Sequence, residues 1–425
     1  MKGTVLFLCV ILAAATSCKT NKEFNHLKMA QMSDDLFPEL VEIRRGLHQH
    51  PELSGQEVRT SQIVATYLRE LGMEVHTNKG GHGVVGILNT GKPGKKIAWR
   101  ADMDAIKSED AEDHSFQSLN PGVSHNCGHD VHTTIGLGIA NVMSQMKEQI
   151  DGQVYFIFQP SEEAFTGAQA MMQDGLLDVI QPDEIYALHV FPSQVGTVQT
   201  KSNELFAYQQ TIVLNFKSST NDSVETYINS VLESLNRQFN SGTPSSLNEL
   251  TDEKLGLVNQ ETIYRDYFFS TPVNQIASSD AEMSFQFTIY ETDQQKMGAA
   301  VLNLEKEIGS SKYSNDLIGV VSLSKNPTVQ NDPSLTGESL DMLTNTYGND
   351  RIQRMYGQIP YFNEDFTYFQ DHISGVLFLL GASNDEKGIL AMPHSPEFKV
   401  DEKAINYGVQ YFSSLMVKRI NGEGM

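Results

Sequence analysis

The sequence predicts an α/β sandwich that is interrupted by a smaller α+β domain. Strand and helix patterns alternate before residue 208 and return after residue 328. Residues 154–158 and 376–380 are entirely apolar, as in strands of a sheet that is covered on both faces. From about Tyr208 the strand patterns alternate between apolar and polar residues, which indicates a sheet with one open face.

Length and composition predict a folded protein with several domains. A chain of 425 residues is expected to form two or three domains, and its 40% apolar and 20% charged residues are typical of soluble globular proteins. Acidic residues outnumber basic ones 53 to 31, which gives a formal net charge of −22. This balance excludes nucleic acid as an expected partner and electrostatic docking on anionic lipid.

The amino terminus has the pattern of an export signal. Residues 5–15 form an apolar run that is too short to span a bilayer. The following A-A-A-T-S-C-K resembles the lipobox of bacterial lipoproteins, in which Cys18 is acylated. We therefore expect a signal over residues 1–18, a polar tether over residues 19–34, and an exported protein held at the periplasmic or cell surface by a lipid anchor only. The alternative is an ordinary cleaved signal.

The larger domain is predicted over residues 35–207 and 329–425. Helices are expected where apolar residues recur at helical spacing, at residues 35–50, 57–71, 133–146, 339–346 and 401–415 and from residue 167. Pro51 ends the first helix and Gly72 the second. Strands are expected at residues 84–88, 97–100, 154–158, 185–189 and 376–380.

The inserted domain is predicted over residues 208–328. Its expected elements are a strand at residues 211–216, a helix at 224–239, a polar loop at 241–248, a strand at 283–290 and a helix at 294–308. A strand–helix–strand–helix order suits a small α+β domain.

A cluster of metal-binding residue types lies in the stretch S-H-N-C-G-H-D-V-H-T, residues 124–133. Cys127 and His129 are separated by Gly128, so both side chains can point to one side of a tight turn. Thiolate and imidazole are good ligands for borderline metals, and the alternative is a His-rich turn around a buried thiol. Of the three cysteines, Cys9 lies in the signal and Cys18 would be acylated, so we expect no disulfide in the folded domain.

Further ligands are expected at the ends of strands. Glu162 and Glu163 follow an apolar strand, where one carboxylate can bind metal and the other can transfer a proton. His189 ends another strand, and His394 lies in a proline-fixed loop after the last one. The alternatives are a solvated acidic loop and histidines that serve the core.

Seven ordered blocks carry a resemblance to the co-catalytic metallo-amidohydrolases of the aminoacylase/carboxypeptidase family. The most similar branch contains N-acyl-amino-acid, hippurate and auxin-conjugate hydrolases. The blocks are R-R-G-L-H-Q-H-P-E-L-S from Arg44, I-A-W-R-A-D-M-D-A from Ile97, N-P-G-V-S-H-N-C-G-H-D-V-H-T from Asn120, I-F-Q-P-S-E-E from Ile157, L-H-V-F-P from Leu188, N-E-D-F from Asn363 and P-H-S-P from Pro393.

The resemblance implies a two-metal exopeptidase-like fold with a lid/dimerisation domain. It implies Glu162 as general base and a ligand set of Cys127 (shared), His129, Glu163, His189 and His394. The two divalent ions would be zinc, manganese, cobalt or nickel, and the ligand types favour zinc. Asp102 and Asp104 would orient ligand imidazoles or form a structural turn. We expect structural roles for four further histidines, namely His48, His50, His125 and His132.

The implied reaction is hydrolysis of an amide bond in an N-acyl amino acid or small peptide, and the resemblance also implies a homodimer through the inserted domain. The sequence departs from the family in the lid. The stretch N-F-K-S-S-T-N-D-S-V replaces the usual Gly-Gly-His-Ala turn, F-Q-F-T-I-Y lacks the later arginine, and Lys107 stands at a usual proline. Two alternatives therefore stay open, a non-catalytic relative that binds metal or a small ligand and a two-metal esterase or phosphoesterase.

Overall fold

The computed structural model describes residues 26–110, 115–220, 223–238, 247–252, 254–279 and 281–422. The α-helices are α1 His26–His48, α2 Val58–Glu70, α3 His129–Gln145, α4 Gly167–Gln173, α5 Leu176–Val179, α6 Ser223–Leu235, α7 Leu247–Thr251, α8 Gln294–Gly309, α9 Pro333–Tyr347, α10 Thr367–Gln370 and α11 Lys403–Asn421. The strands are β1 Glu74–Lys79, β2 Gly83–Asn89, β3 Lys96–Asp102, β4 Gln153–Gln159, β5 Glu184–Gln194, β6 Val198–Thr200, β7 Asn203–Glu204, β8 Tyr208–Lys217, β9 Phe268–Ser270, β10 Asn274–Ser278, β11 Glu282–Glu291, β12 Leu317–Asn326, β13 Gln330–Asn331, β14 Ile352–Arg354 and β15 Gly375–Ser383.

The larger sheet has eight strands in the order β1-β2-β4-β3-β5-β15-β6-β14. Strands β4, β3, β5 and β15 run parallel in its centre, and every residue of β15 is buried. One buried cluster packs α1, α2, α3, α9 and α11 on one face, while a second cluster covers the other face. The predicted α/β sandwich is confirmed, because continuous apolar strands require cover on both faces.

The larger sheet contains an arrangement that the strand patterns did not reveal. Strands β2 and β3 are not neighbours, because β4 lies between them. The edge strand β1 pairs with β2 and has no buried residue, so its sequence lacks the apolar run that predicted the other strands.

The inserted segment forms a second, antiparallel sheet of β10-β11-β8-β12, with β9 paired to β11. Helices α6 and α8 cover one face of this sheet around a core that includes Phe216 and Phe287. Leu257, Tyr264 and Tyr267 also lie in the insertion, yet they are buried in the core of the larger sheet. The insertion therefore joins the larger core as well as forming its own.

Helix α1 begins at His26 rather than at residue 35, so it includes residues 26–34 of the predicted tether. Met29 and Met32 are buried on this helix, and Ser33 donates a hydrogen bond to the Asn406 carbonyl across 2.8 Å. Apolar contacts with the core thus extend the helix backwards. The predicted signal, Cys18, residues 19–25 and most of the predicted loop 241–248 lie outside the described residues. Among the described helices, none is both long and apolar enough to cross a membrane.

Candidate metal centre

Gly128 places Cys127 and His129 at the start of α3. Gly128 has φ +93° and stands immediately before the helix, whose first residue is His129. A Cβ atom at this position would lie 2.5 Å from Val190 Cγ2, so only glycine lets the chain pass this close to β5. Both Cys127 and His129 are buried. The turn therefore holds a thiol and an imidazole beside the sheet.

Glu162 and Glu163 lie in a tight turn that follows β4. Asp104 accepts hydrogen bonds from both backbone N–H groups, at 3.1 Å from Glu162 and 3.0 Å from Glu163. Ser161 and Phe165 on either side have φ values of +55° and +56°, in the left-handed region that non-glycine residues rarely adopt. The turn is thus held by specific contacts rather than by local preference.

His189 and His394 approach the same place from two other segments. His189 on β5 has Nε2 3.4 Å from Cys127 Sγ. The backbone N–H of His394 donates to the Asn126 carbonyl at 2.8 Å, which ties its loop to the turn before α3. His394 Nε2 lies 3.2 Å from Glu163 Oε1.

The structure brings all five predicted ligands together in two groups that share one atom. Potential donor atoms of Cys127, His129 and His189 lie within 4.8 Å of one another, and so do those of Cys127, Glu163 and His394. Cys127 Sγ belongs to both groups. Glu162 is adjacent, with Oε2 3.8 Å from His129 Nε2.

The residues fit a divalent cation by their chemistry. His129 Nε2 is buried and has no hydrogen-bond partner among the described residues. Its lone pair or N–H is therefore unused beside Glu162 and Glu163. Burial lowers the pKa of His189 to about 3, with His132 adding to the effect, so the imidazole stays neutral as metal binding requires. Thiolate, imidazole and carboxylate together suit zinc, manganese, cobalt or nickel.

Burial and acidic neighbours shift the pKa values of two predicted ligands. Burial, reinforced by Glu163 and Glu162, raises the pKa of Cys127 well above its usual range. Burial opposes a charge on His129, yet Asp102 and Asp104 raise its pKa to about 10. Both shifts mean that the protein without metal retains protons that a cation would displace.

Asp104 and Asp102 form hydrogen bonds with different imidazoles. Asp104 Oδ1 lies 3.3 Å from His129 Nδ1, which matches the predicted role of orienting a ligand. Asp102 Oδ1 lies 2.7 Å from His132 Nδ1, and His132 Nε2 accepts a hydrogen bond from the Val190 backbone at 2.8 Å. His132 thus links α3 to β3 and β5 with both ring nitrogens.

The other three histidines with predicted structural roles also lie outside both donor groups. His48 has Nδ1 2.8 Å from Asp130 Oδ2 and Nε2 3.2 Å from Asp110 Oδ2. His125 is buried, and neither ring nitrogen has a hydrogen-bond partner among the described residues. Burial lowers the pKa of His125 to about 4, so this ring is neutral. His50 lies just beyond the end of α1.

Sequence reasoning missed the role of a buried arginine beside Glu162. The Arg100 guanidinium lies 2.9 Å from Glu364 and 3.2 Å from Asp365, and all three side chains are buried. Carboxylate oxygens of Glu162, Glu364 and Asp365 lie within 4.8 Å of one another. Two features of the sequence could have indicated this role. A charged residue interrupts the apolar pattern of β3, and N-E-D-F is one of the blocks that carry the resemblance.

The departures from the resembled family that the sequence showed in the inserted segment fall on β8 and β11. Asn215, Phe216 and Lys217 end β8 at the stretch where the resemblance predicted a Gly-Gly-His-Ala turn, and Asn221 and Asp222 lie outside the described residues. Gln286 and Thr288 occupy the polar side of β11, where no arginine is present.

Comparisons with known proteins agree with this geometry. The profile of a family described as Peptidase family M20/M25/M40 matches residues 98–418. Thermostable carboxypeptidase 1 of Saccharolobus solfataricus is 31% identical over 90% of this chain and 95% of its own. An IAA-amino acid hydrolase of Arabidopsis thaliana is 28% identical over 97% of this chain and 95% of its own.

A solved structure shares the fold over nearly its whole length. It is a Bacillus subtilis protein described as a dinuclear metal binding peptidase from the M20 family. It is 25% identical, has a TM-score of 0.71, and covers 92% of this chain and 100% of its own. The predicted resemblance is confirmed.

Proposed function

The chain belongs to peptidase family M20/M25/M40 and is a metal-dependent hydrolase, and on that premise we propose that it cleaves the amide bond of an N-acyl amino acid or small peptide. The observation that carries the proposal is the pair of three-donor groups that share Cys127, with Glu162 beside them. Two adjacent sites with a free carboxylate suit an attack of water on a carbonyl group.

Glu162 is our proposed general base. Bound divalent ions would supply Lewis acidity toward a substrate carbonyl and would lower the pKa of water. Burial and the nearby charge of Glu364 raise the pKa of Glu162 well above its usual range. A carboxylate with a raised pKa takes a proton from the attacking water and later donates it to the leaving amine nitrogen. Asp104 fixes the turn from which Glu162 reaches the site.

Relatives support the substrate class. One relative is named a carboxypeptidase, one an IAA-amino acid hydrolase, and one, from Enterococcus faecalis and 28% identical, an N-acetyldiaminopimelate deacetylase. Each of these names describes a protein that acts on an amide bond next to an amino acid. We extend that bond type to this chain and leave its acyl group open.

A specific departure favours one second candidate, a non-catalytic relative that binds metal or a small ligand. The end of β8 has neither the histidine nor the glycine pair of the family turn, and β11 lacks the arginine. A developing oxyanion needs preorganised donors, so their loss would reduce turnover unless other residues replace them.

The test compares Glu162→Gln with wild type on a panel of N-acyl amino acids and dipeptides. We expect about two divalent ions per chain in both proteins, because our proposed ligand set does not include Glu162, and no amide hydrolysis by the variant. Glu42→Gln is the matched control, since the side chain of Glu42 on α1 is 78% exposed. Wild type with metal but without activity on the whole panel would support the non-catalytic candidate. Absence of metal would refute the amidohydrolase proposal and the metal-binding form of the non-catalytic candidate.

Lipid anchoring at Cys18 is a separate proposal, which the lipobox pattern supports. Cells fed a labelled fatty acid should transfer label to the wild-type chain and not to Cys18→Ser. An unlabelled wild-type chain that begins after a cleaved signal would show an ordinary export signal instead.

We also propose a homodimer through the inserted domain. Strand β12 is an edge of the second sheet, and it exposes Ile318 by 49% and Leu323 by 59%. An apolar edge strand favours pairing with another sheet. Sedimentation velocity should show a dimer for wild type and a monomer for Leu323→Lys, and a monomeric wild type would refute this assembly.

A further inference from the structure

Arg100 is a buried cation whose hydrogen-bonding capacity is fully used. Its Nε donates to Gln159 at 2.8 Å, and its Nη1 lies 2.7 Å from Asp102 and 3.1 Å from Glu364. Its Nη2 lies 2.9 Å from Glu364 and 3.2 Å from Asp365. A guanidinium has five N–H groups in a rigid fork, and these contacts occupy all of them. The orientation of Arg100 is therefore fixed.

Asp365 contacts the beginning, the middle and the end of the turn that carries Glu162. Its Oδ1 accepts from Gln159 Nε2 at 2.6 Å, and its Oδ2 accepts from the Ala168 N–H at 2.9 Å. Its backbone N–H donates to Glu162 Oε1 at 3.4 Å. One residue thus contacts the end of β4 before the turn, Glu162 within it and the start of α4 after it.

The turn needs such support because its backbone is locally unfavourable. Ser161 and Phe165 have positive φ values, and neither is a glycine. Without external hydrogen bonds these residues would relax toward ordinary conformations and would move Glu162 with them. Asp365 opposes this relaxation together with Asp104, which holds the Glu162 and Glu163 N–H groups.

Charge explains why Arg100 is part of the arrangement. Glu162, Glu364 and Asp365 are buried carboxyl groups within 4.8 Å of one another, and repulsion would drive them apart. Arg100 pairs with Glu364 and Asp365, so these two acids can remain beside Glu162. The guanidinium also supplies the positive charge that this acidic group requires.

We propose that Asp365, held by Arg100, is a positioning residue that fixes the carboxylate of Glu162 toward the metal centre. The inference rests on the proposed function, since it assigns Glu162 as the base. It adds a role for the N-E-D-F segment, whose two carboxylates belong to neither of the donor groups that share Cys127 but hold the turn that bears the base.

The first experiment measures kcat, KM and metal content of Asp365→Ala. Loss of outer contacts in metal enzymes lowers activity by about 10- to 100-fold, so we expect that fall in kcat with KM within about twofold and metal content unchanged. Asp365→Asn keeps one oxygen for Arg100 and Gln159 and should recover part of the loss. Glu184→Gln is the control, because Glu184 is also buried and pairs with an arginine, Arg419. Glu184 is the first residue of β5, whereas the turn that carries Glu162 follows the last residue of β4.

The second measurement is independent of turnover. Amide hydrogen exchange at residues 161–168 should be at least tenfold faster in Asp365→Ala than in Glu184→Gln, because the Asp365 carboxylate accepts hydrogen bonds from Gln159 and Ala168 at the two ends of this turn, whereas Glu184 makes no contact with it. Unchanged exchange would overturn the inference whatever the substrate is. A wild type that hydrolyses nothing, with exchange accelerated in the variant, would overturn the proposed function alone. Normal kcat in an active Asp365→Ala would overturn the inference alone.

Discussion

Replacement of Gly128 by alanine should destabilise the protein and disturb the metal centre together. A residue other than glycine at φ +93° costs about 1–2 kcal/mol. The new Cβ would lie 2.5 Å from Val190 Cγ2 and 3.2 Å from Phe398 Cζ, and overpacking of this kind adds about 1–3 kcal/mol. The expected total is about 2–5 kcal/mol of unfolding free energy. Because Cys127 and His129 flank this glycine, any shift that relieves the overlap moves two donors.

Gly72→Ala is the matched control for the backbone cost. Gly72 follows α2 with φ +75°, and no atom lies within 4 Å of a Cβ built there. It should lose only the conformational part, about 1–2 kcal/mol. Urea denaturation in the presence of a chelator measures both variants without metal linkage, and calorimetric titration then measures metal affinity. Equal stability of the two variants, with full metal affinity in Gly128→Ala, would refute the steric reasoning.

Two further predictions concern stability away from the site. Met29→Ala should lower the free energy of unfolding by about 2–5 kcal/mol because Met29 is buried, whereas Leu27→Ala, at a side chain 67% exposed, should change it little; equal effects in denaturation would contradict the docking of the first turns of α1. Burial alone would raise the pKa of Glu184. The hydrogen bond from Arg419 and those from other neighbours outweigh this effect, so the pKa of Glu184 is lowered. Its stabilisation is therefore present above the unfolded-state pKa of about 4.3 and is lost as pH falls through the lower folded value. Glu184→Gln should cost about 3–5 kcal/mol at neutral pH, and the difference from wild type should shrink in denaturation curves below about pH 4; a pH-independent difference would refute the charge pairing.

The sequence predicted those parts of the fold that local patterns determine. The expected helix at residues 294–308 and strand at 283–290 correspond to α8 and β11, because periodicity reports directly on which side of an element is buried. It did not predict that β4 separates β2 from β3, since strand order depends on packing between distant segments. The backward extension of α1 was missed because residues 26–34 look polar and their few apolar side chains count only once the core is present.

The site shows the same division. Donor identity can be read from residue type, so Cys127, His129 and Glu163 were named before their distances were known. The network around Arg100 could not be derived in that way. It joins β3 to a segment more than 260 residues later, and the pairing depends on the three-dimensional balance of buried charges rather than on local spacing.

The exposure of His394 makes the two donor groups kinetically unequal. The side chain of His394 is 57% exposed, and its backbone has a φ of +61°. The side chain of His129, by contrast, is fully buried. An ion held by Cys127, Glu163 and His394 can exchange with solvent more readily than one held by Cys127, His129 and His189. We therefore expect a chelator to remove metal in two phases, with the first phase accelerated in His394→Ala, and a single phase in stopped-flow measurements would contradict this order. We expect metal binding to follow the reverse order. Ions would then enter the centre from the exposed side, at His394.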